Sequence, residues 1–179
     1  MRKAAFITSS IKALCNVKLA ALLLTVHWSL FATDAGAELV KGEAPNFTLK
    51  SIRGDNLKLS ERRGEVIVLA FWATWCDPCK QIMPMLNDLY LRYRDEGFTL
   101  LAINVEKDAD KVRKELRSLQ VSFPVLIDVT SEVSKNYEVE EMPSTYLIDR
   151  DGNLRYTHNG LPGGFDDALT KQIRELMAE

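Results

Sequence analysis

Cys76 and Cys79 stand with two residues between them in "FWATWCDPCKQIMPML", residues 71–86. Such a pair can hold a metal, brace the chain, or work as a dithiol. A structural zinc takes four nitrogen or sulfur ligands. Beside the pair, residues 38–179 offer only His158, so a full zinc site would need carboxylates or a second chain. A soft Cu(I) ion asks less: two thiolates with a Met or His beside them suffice, and Met83, Met85, Met142 and His158 are the candidates. Methionines at helical spacing, however, are more often core filler than ligands. A brace is the weakest reading, because so short a ring restrains little of the unfolded chain.

The dithiol reading gains from the elements on either side. Glu65–Ala73 (EVIVLAFWA) is a continuous apolar run, the pattern of a strand buried on both faces. After the cysteines Ile82, Met83, Leu86, Leu89, Tyr90 and Tyr93 recur at helical spacing. The pair therefore falls at a strand-to-helix junction. There the free N–H groups and the helix dipole stabilise a sulfur anion, which lowers the pKa of the first cysteine. The second, one turn on, is placed to attack a mixed disulfide formed at the first. Pro78 is tolerated in a first turn. Asp77, a negative neighbour, opposes the thiolate, while the helix terminus and Lys80 favour it. Asp77 and Pro78 are thus the candidates for tuning the couple. Trp72 reads as core; Trp75, beside a sulfur expected to be exposed, is the candidate for shaping a client groove.

The remaining pattern is a single α/β domain with a mixed central sheet and helices on both faces. Asn46–Lys50 and Asn56–Leu59 read as a hairpin, preceded by a short linker over Glu38–Ala44. Phe98–Val105 is a second buried strand, and Asp108 caps a helix whose Val112, Leu116 and Leu119 share one face. Pro124–Asp128 is a short third strand, and a helical segment follows near Ser131–Tyr137. Ser144–Asp149 and Asn153–His158 flank a turn at Asp151-Gly152. Phe165, Leu169, Ile173 and Leu176 stripe a final helix. Pro143, just ahead of a strand where a trans proline would be awkward, still reads on local sequence alone as an ordinary loop proline, because cis X–Pro bonds are uncommon.

Residues 1–37 read as a separate segment. Arg2, Lys3, Lys12 and Lys18 form a basic leader, Leu19–Ala32 is nearly all apolar, and Ala35-Gly36-Ala37 supplies small residues for cleavage. That order marks a secretory signal, with an uncleaved N-terminal membrane anchor as the rival. Cys15 has no apolar run ahead of it and does not read as a lipid-attachment site. Residues 38–179 carry 19 Lys and Arg against 24 Asp and Glu, and only two cysteines. An acidic chain without a basic stripe argues against nucleic acid and anionic lipid as partners. Export would bring the pair into a compartment where disulfides persist.

Over nearly all of residues 43–179 the chain resembles the TlpA/ResA-like thiol-disulfide oxidoreductases of the thioredoxin superfamily. The likeness rests on "APNFTLKSIRGDNLKLSERRGEVIVLAFWATWCDPC", on Pro84 five residues after Cys79, and on "MPSTYLIDRDGNL". It implies a thioredoxin fold with an N-terminal β-hairpin and an inserted strand–helix unit within 98–123. It further implies a cis Pro143, Cys76 as the attacking thiol and Cys79 as the resolving one. Met142–Pro143 would pair with an extended client segment. No cofactor is implied beyond the Cys76–Cys79 dithiol, and no resident metal. Implied partners are client proteins bearing disulfides, of the cytochrome c or copper-site maturation type, and a membrane thiol donor. The location implied is the periplasm or another extracytoplasmic space.

Two positions depart from the family pattern. A carboxylate that relatives carry six residues before the first cysteine is Ala70 here, and one they carry three residues after the second is Ile82. The base for Cys79 is therefore unassigned. Glu106 is a candidate, although a solvated strand end is its simpler reading. A Cu(I) chaperone using the same cysteines is the alternative function. Peroxiredoxins share the opening hairpin and strand, but their upstream Pro and Thr pattern is not reproduced in "FWATWCDPC".

Overall fold

The centre of the molecule is built by two strands that are buried at every position, Val66–Trp72 (β4) and Phe98–Asn104 (β5). They pair in parallel, Val66 opposite Phe98 through Trp72 opposite Asn104. A strand this apolar is stable only where helices cover both faces of the sheet. The computed structural model describes residues 38–179, and the leader residues 1–37 with Cys15 lie outside the described residues.

Six further strands complete the sheet: Glu38–Glu43 (β1), Thr48–Ser51 (β2), Asn56–Lys58 (β3), Val125–Ile127 (β6), Ser144–Ile148 (β7) and Asn153–Asn159 (β8). Their order across the sheet is β1-β8-β7-β4-β5-β6-β2-β3. The β4–β5–β6 centre is parallel, and β7, β8 and β1 on one side and β2 and β3 on the other are antiparallel. The helices are Asp77–Tyr93 (α1), Ala109–Leu119 (α2), Glu132–Asn136 (α3) and Phe165–Met177 (α4). Among the described residues no helix is long and apolar enough to cross a membrane.

The two-residue period of a strand sorts the core into two layers. Val66, Val68, Ala70 and Trp72 of β4 face one way, with Cys79, Met83 and Leu86 of α1 and Phe165, Leu169 and Ile173 of α4. Ile67, Leu69 and Phe71 face the other, against Val133, Tyr137 and Tyr146. In that second layer the Phe71, Tyr137 and Tyr146 rings stand 5.2–5.6 Å apart. The Tyr137 hydroxyl donates to the Pro45 carbonyl at 2.9 Å. Burial holds that phenol well above its ordinary range. Asp108 caps α2, its carboxylate accepting the Asp110 and Lys111 N–H groups at 3.0 and 3.1 Å. Gly97 takes φ +80° between α1 and β5, a conformation that only glycine adopts without strain.

One element differs from the sequence expectation. Glu38–Glu43 is not a linker but an edge strand, running antiparallel to β8 with a register break between Leu39 and Gly42. Its composition carries no strand signal; the open edge of β8 supplies the hydrogen bonds that order it.

Candidate active site

β4 ends at Trp72, and after the four residues 73–76 the chain starts α1 at Asp77. Cys76 is the N-cap, with extended backbone at φ −90° and ψ 97°. Its sulfur accepts the Cys79 backbone N–H at 3.1 Å, the bond that a Ser or Asp side chain commonly makes at such a position. Cys76 and Cys79 are joined as a disulfide, with their Cα atoms 5.3 Å apart. Pro78 sits in the first turn, and Pro84 lies inside the helix, where its ring removes the N–H that would bond the Lys80 carbonyl.

The sulfur at Cys76 is not the exposed one expected from the sequence. Cys76 is 4% exposed and Cys79 fully buried, whereas Trp75 is 62% exposed. The cap geometry explains this, because the Cys76 side chain folds back over the first turn instead of pointing to solvent. Asp77 points outward and pairs with Lys80 at 2.7 Å, so the carboxylate beside the sulfurs carries its own counter-ion. That hydrogen bond holds the Lys80 ammonium above its ordinary range.

The second wall of the site comes from β7. Ser144, its first residue, pairs with Phe71, which sets Met142 and Pro143 beside the end of β4 and so beside the cysteine loop. The Met142–Pro143 peptide is cis, Pro143 is buried and Met142 half-buried. The Pro143 carbonyl accepts the Gly160 N–H at 2.8 Å.

Glu106 is neither a solvated strand end nor an idle carboxylate. Oε2 accepts the Thr74 backbone N–H at 2.6 Å, and Oε1 accepts the Thr74 hydroxyl at 2.9 Å and the Lys111 ammonium at 2.7 Å. Burial works against its charge, but the bonds from Lys111, Thr74 and Asn104 outweigh it and hold the carboxyl below its usual range. A carboxylate held this way is a poor proton acceptor and a good anchor. It ties the loop before Cys76 to the start of α2. An Asn-x-Glu at a predicted strand end was the only trace of this anchor in the sequence.

His158 lies near the end of β8, as a strand-end reading places it, but it is buried, with Nε2 at 2.7 Å from Gln172 Oε1. Met83 is packed in the core beneath α1. Among the described residues no three His, Cys, Asp or Glu side chains converge as a metal site.

With this geometry in view, a family model described as the AhpC/TSA family matches residues 40–157. The chain belongs to the AhpC/TSA family. This family member is 36% identical over 148 residues to thiol-disulfide oxidoreductase ResA of Geobacillus kaustophilus, covering 83% of this chain and 84% of that protein. To ResA of Bacillus subtilis it is 34% identical over 140 residues, covering 77% and 76%. Among solved structures, it resembles a putative thiol:disulfide interchange protein DsbE from Chlorobium tepidum. There the TM-score is 0.74 at 35% identity, over 78% of this chain and 99% of that one. A putative protein disulfide isomerase from Bacteroides thetaiotaomicron matches with TM-score 0.73 at 28% identity, over 80% and 94%. The AhpC/TSA member described here is a thiol-disulfide oxidoreductase of thioredoxin fold.

Proposed function

We propose that this oxidoreductase is exported and reduces disulfides in client proteins outside the cytoplasm. Cys76 attacks a client sulfur, and Cys79 resolves the mixed disulfide. A membrane thiol donor returns the pair to the dithiol, and no cofactor takes part beyond the two sulfurs. The observation that carries the reading is the Cys76 sulfur at the N-cap of α1, accepting the Cys79 N–H at 3.1 Å. A helix N-terminus favours the anion over the thiol, and the anion is the nucleophile. Asp77 pulls the other way. A less stabilised thiolate makes a more reducing couple, so an acidic residue between the sulfurs supports reduction over oxidation of clients.

The exposed indole of Trp75 and the Met142 backbone are the surfaces for an extended client segment. The Pro143 carbonyl already serves Gly160, which leaves Met142 as the pairing group. Clients of the cytochrome c or copper-site maturation type fit such a reductase. Export is supported by the basic leader, apolar run and small-residue site within residues 1–37. The test is a trap. Cys79→Ser should accumulate a mixed disulfide through Cys76 that identifies the client, while Cys76→Ser should abolish disulfide turnover. Turnover undiminished in Cys76→Ser would end the proposal.

A further inference from the structure

Three polar atoms on the α1 and α4 side of the sheet have no partner among the described residues: Trp72 Nε1, Thr145 Oγ1 and His158 Nδ1. Each of the three residues is 1% exposed. They share a face by register. Ala70 pairs with Thr145 and Thr145 with His158, and Trp72 lies two residues along β4 from Ala70. That face is the one that carries Cys79 and Phe165, and the His158 ring packs edge-on against Phe165 at 5.3 Å. His158 is level with Ala70, two strands away, or about 10 Å. Thr157 Oγ1, also without a partner, belongs to the opposite face.

The three atoms are chemically complementary. An indole N–H only donates, and a hydroxyl both donates and accepts. Gln172 Oε1 can only accept, so the ring proton of neutral His158 sits on Nε2 and Nδ1 keeps a bare lone pair. One donor, one acceptor and one group that does either is what an internal water needs, and leaving such atoms unpaired in a dry core is costly.

Other candidate bases are committed elsewhere. Asp128 accepts from Val133 and Ser134, and Asp149 from Asn153 and Arg155. Glu106 is held by Thr74 and Lys111. The buried faces of α4 (Phe165, Leu169, Gln172, Ile173) and α1 (Ile82, Met83, Leu86) bring no charge to the ring. Tyr156, two residues along β8, is kept protonated mainly by burial. Tyr93, in the same buried layer, takes up Arg174 through its hydroxyl. The two cysteines are the remaining titratable groups of that layer, and Cys79 is the one that must lose a proton in resolution.

We propose that Trp72, Thr145 and His158 hold an internal water, and that His158 receives through it the proton Cys79 gives up during resolution. This rests on the dithiol reading above. The Cys79 S–H proton passes to His158 Nδ1, and the Cys79 thiolate attacks the Cys76 sulfur of the mixed disulfide. The Cys76–Cys79 bond forms, the Cys76–client bond breaks, and the client sulfur leaves with the electron pair. The imidazolium, held by Gln172, then returns its proton through solvent to the client thiolate. His158 is here a positioning and relay residue, since it touches neither sulfur.

The two steps separate with glutathione 2-thiopyridyl disulfide as probe. Attack by Cys76 on the glutathione sulfur releases thiopyridone, read by absorbance, and resolution by Cys79 releases glutathione, read by quench and mass. His158→Gln and Thr145→Val should leave the first step within about twofold. Each should slow the second by about tenfold or more and change the shape of its pH profile. Thr145→Val keeps the β-branched shape, so it decides the matter alone if His158→Gln does not fold. A second step within about twofold of the parent overturns the relay, and so does an equal loss in both steps with the pH profile unchanged. Failure of the dithiol reading looks different: thiopyridone would then appear at the parent rate from Cys76→Ser.

Discussion

Replacing Glu106 with Gln asks how firmly the loop before Cys76 is anchored. The carboxylate serves three close donors: the Thr74 N–H at 2.6 Å, the Thr74 hydroxyl at 2.9 Å and the Lys111 ammonium at 2.7 Å. A Gln side chain has one acceptor oxygen, and its amide nitrogen must then face a donor. The Lys111 side chain is 51% exposed and can turn to water, so losing its pair costs less than about 1 kcal/mol. Thr74 is only 6% exposed and has no such escape. A buried donor left unpaired costs about 1–3 kcal/mol, and a charge-assisted bond sits at the upper end. The expected loss is therefore about 2–3 kcal/mol, read by guanidinium unfolding of the oxidised protein as a lower midpoint with unchanged slope. The pH dependence has a definite sign. Because the folded-state pKa is depressed, the Glu106 contribution is present above the ordinary value of 4.5 and fades as pH falls through the folded value. The gap between parent and variant should close below that pH. A loss under about 0.5 kcal/mol at neutral pH, or a gap that widens in acid, would refute the anchor.

Two further outcomes follow from the same geometry. Asp77→Asn removes the carboxylate beside the sulfurs and frees Lys80, so the Cys76 thiolate gains stability and the couple becomes more oxidising; a redox titration that moves it the other way contradicts the argument. Phe71→Ala deletes a fully buried ring that packs on both Tyr137 and Tyr146, and should cost about 3–5 kcal/mol in the same unfolding assay, with a loss below about 2 kcal/mol counting against the packing described.

What the sequence made legible was whatever short-range chemistry decides. The apolar runs of β4 and β5, the Asp108 cap, the Asp151-Gly152 turn and the stripe of α4 each declare themselves within a few residues, and the fold follows from their order. The strand-to-helix junction at Cys76 is of the same kind. What stayed hidden depends on partners far along the chain. Glu106 meets Thr74 across 32 residues, and the Asn-x-Glu at the strand end does not say which residue it will meet. The burial of His158 is set by Phe165 and Gln172 of a helix that has not yet begun where the strand ends. Glu38–Glu43 becomes a strand only because β8 offers an unpaired edge. The shelter of Cys76 comes from its own cap geometry, which spacing alone does not reveal.

The outermost strands are built so that other chains cannot easily join the sheet. An extended polypeptide can add itself to any long, regular border and seed a clump. Here one margin ends in the three residues of β3, too brief to recruit a stranger, and the other is β1, whose ladder slips between Leu39 and Gly42. Among the described residues neither rim offers a continuous template, so a second chain finds no long border on this sheet to extend.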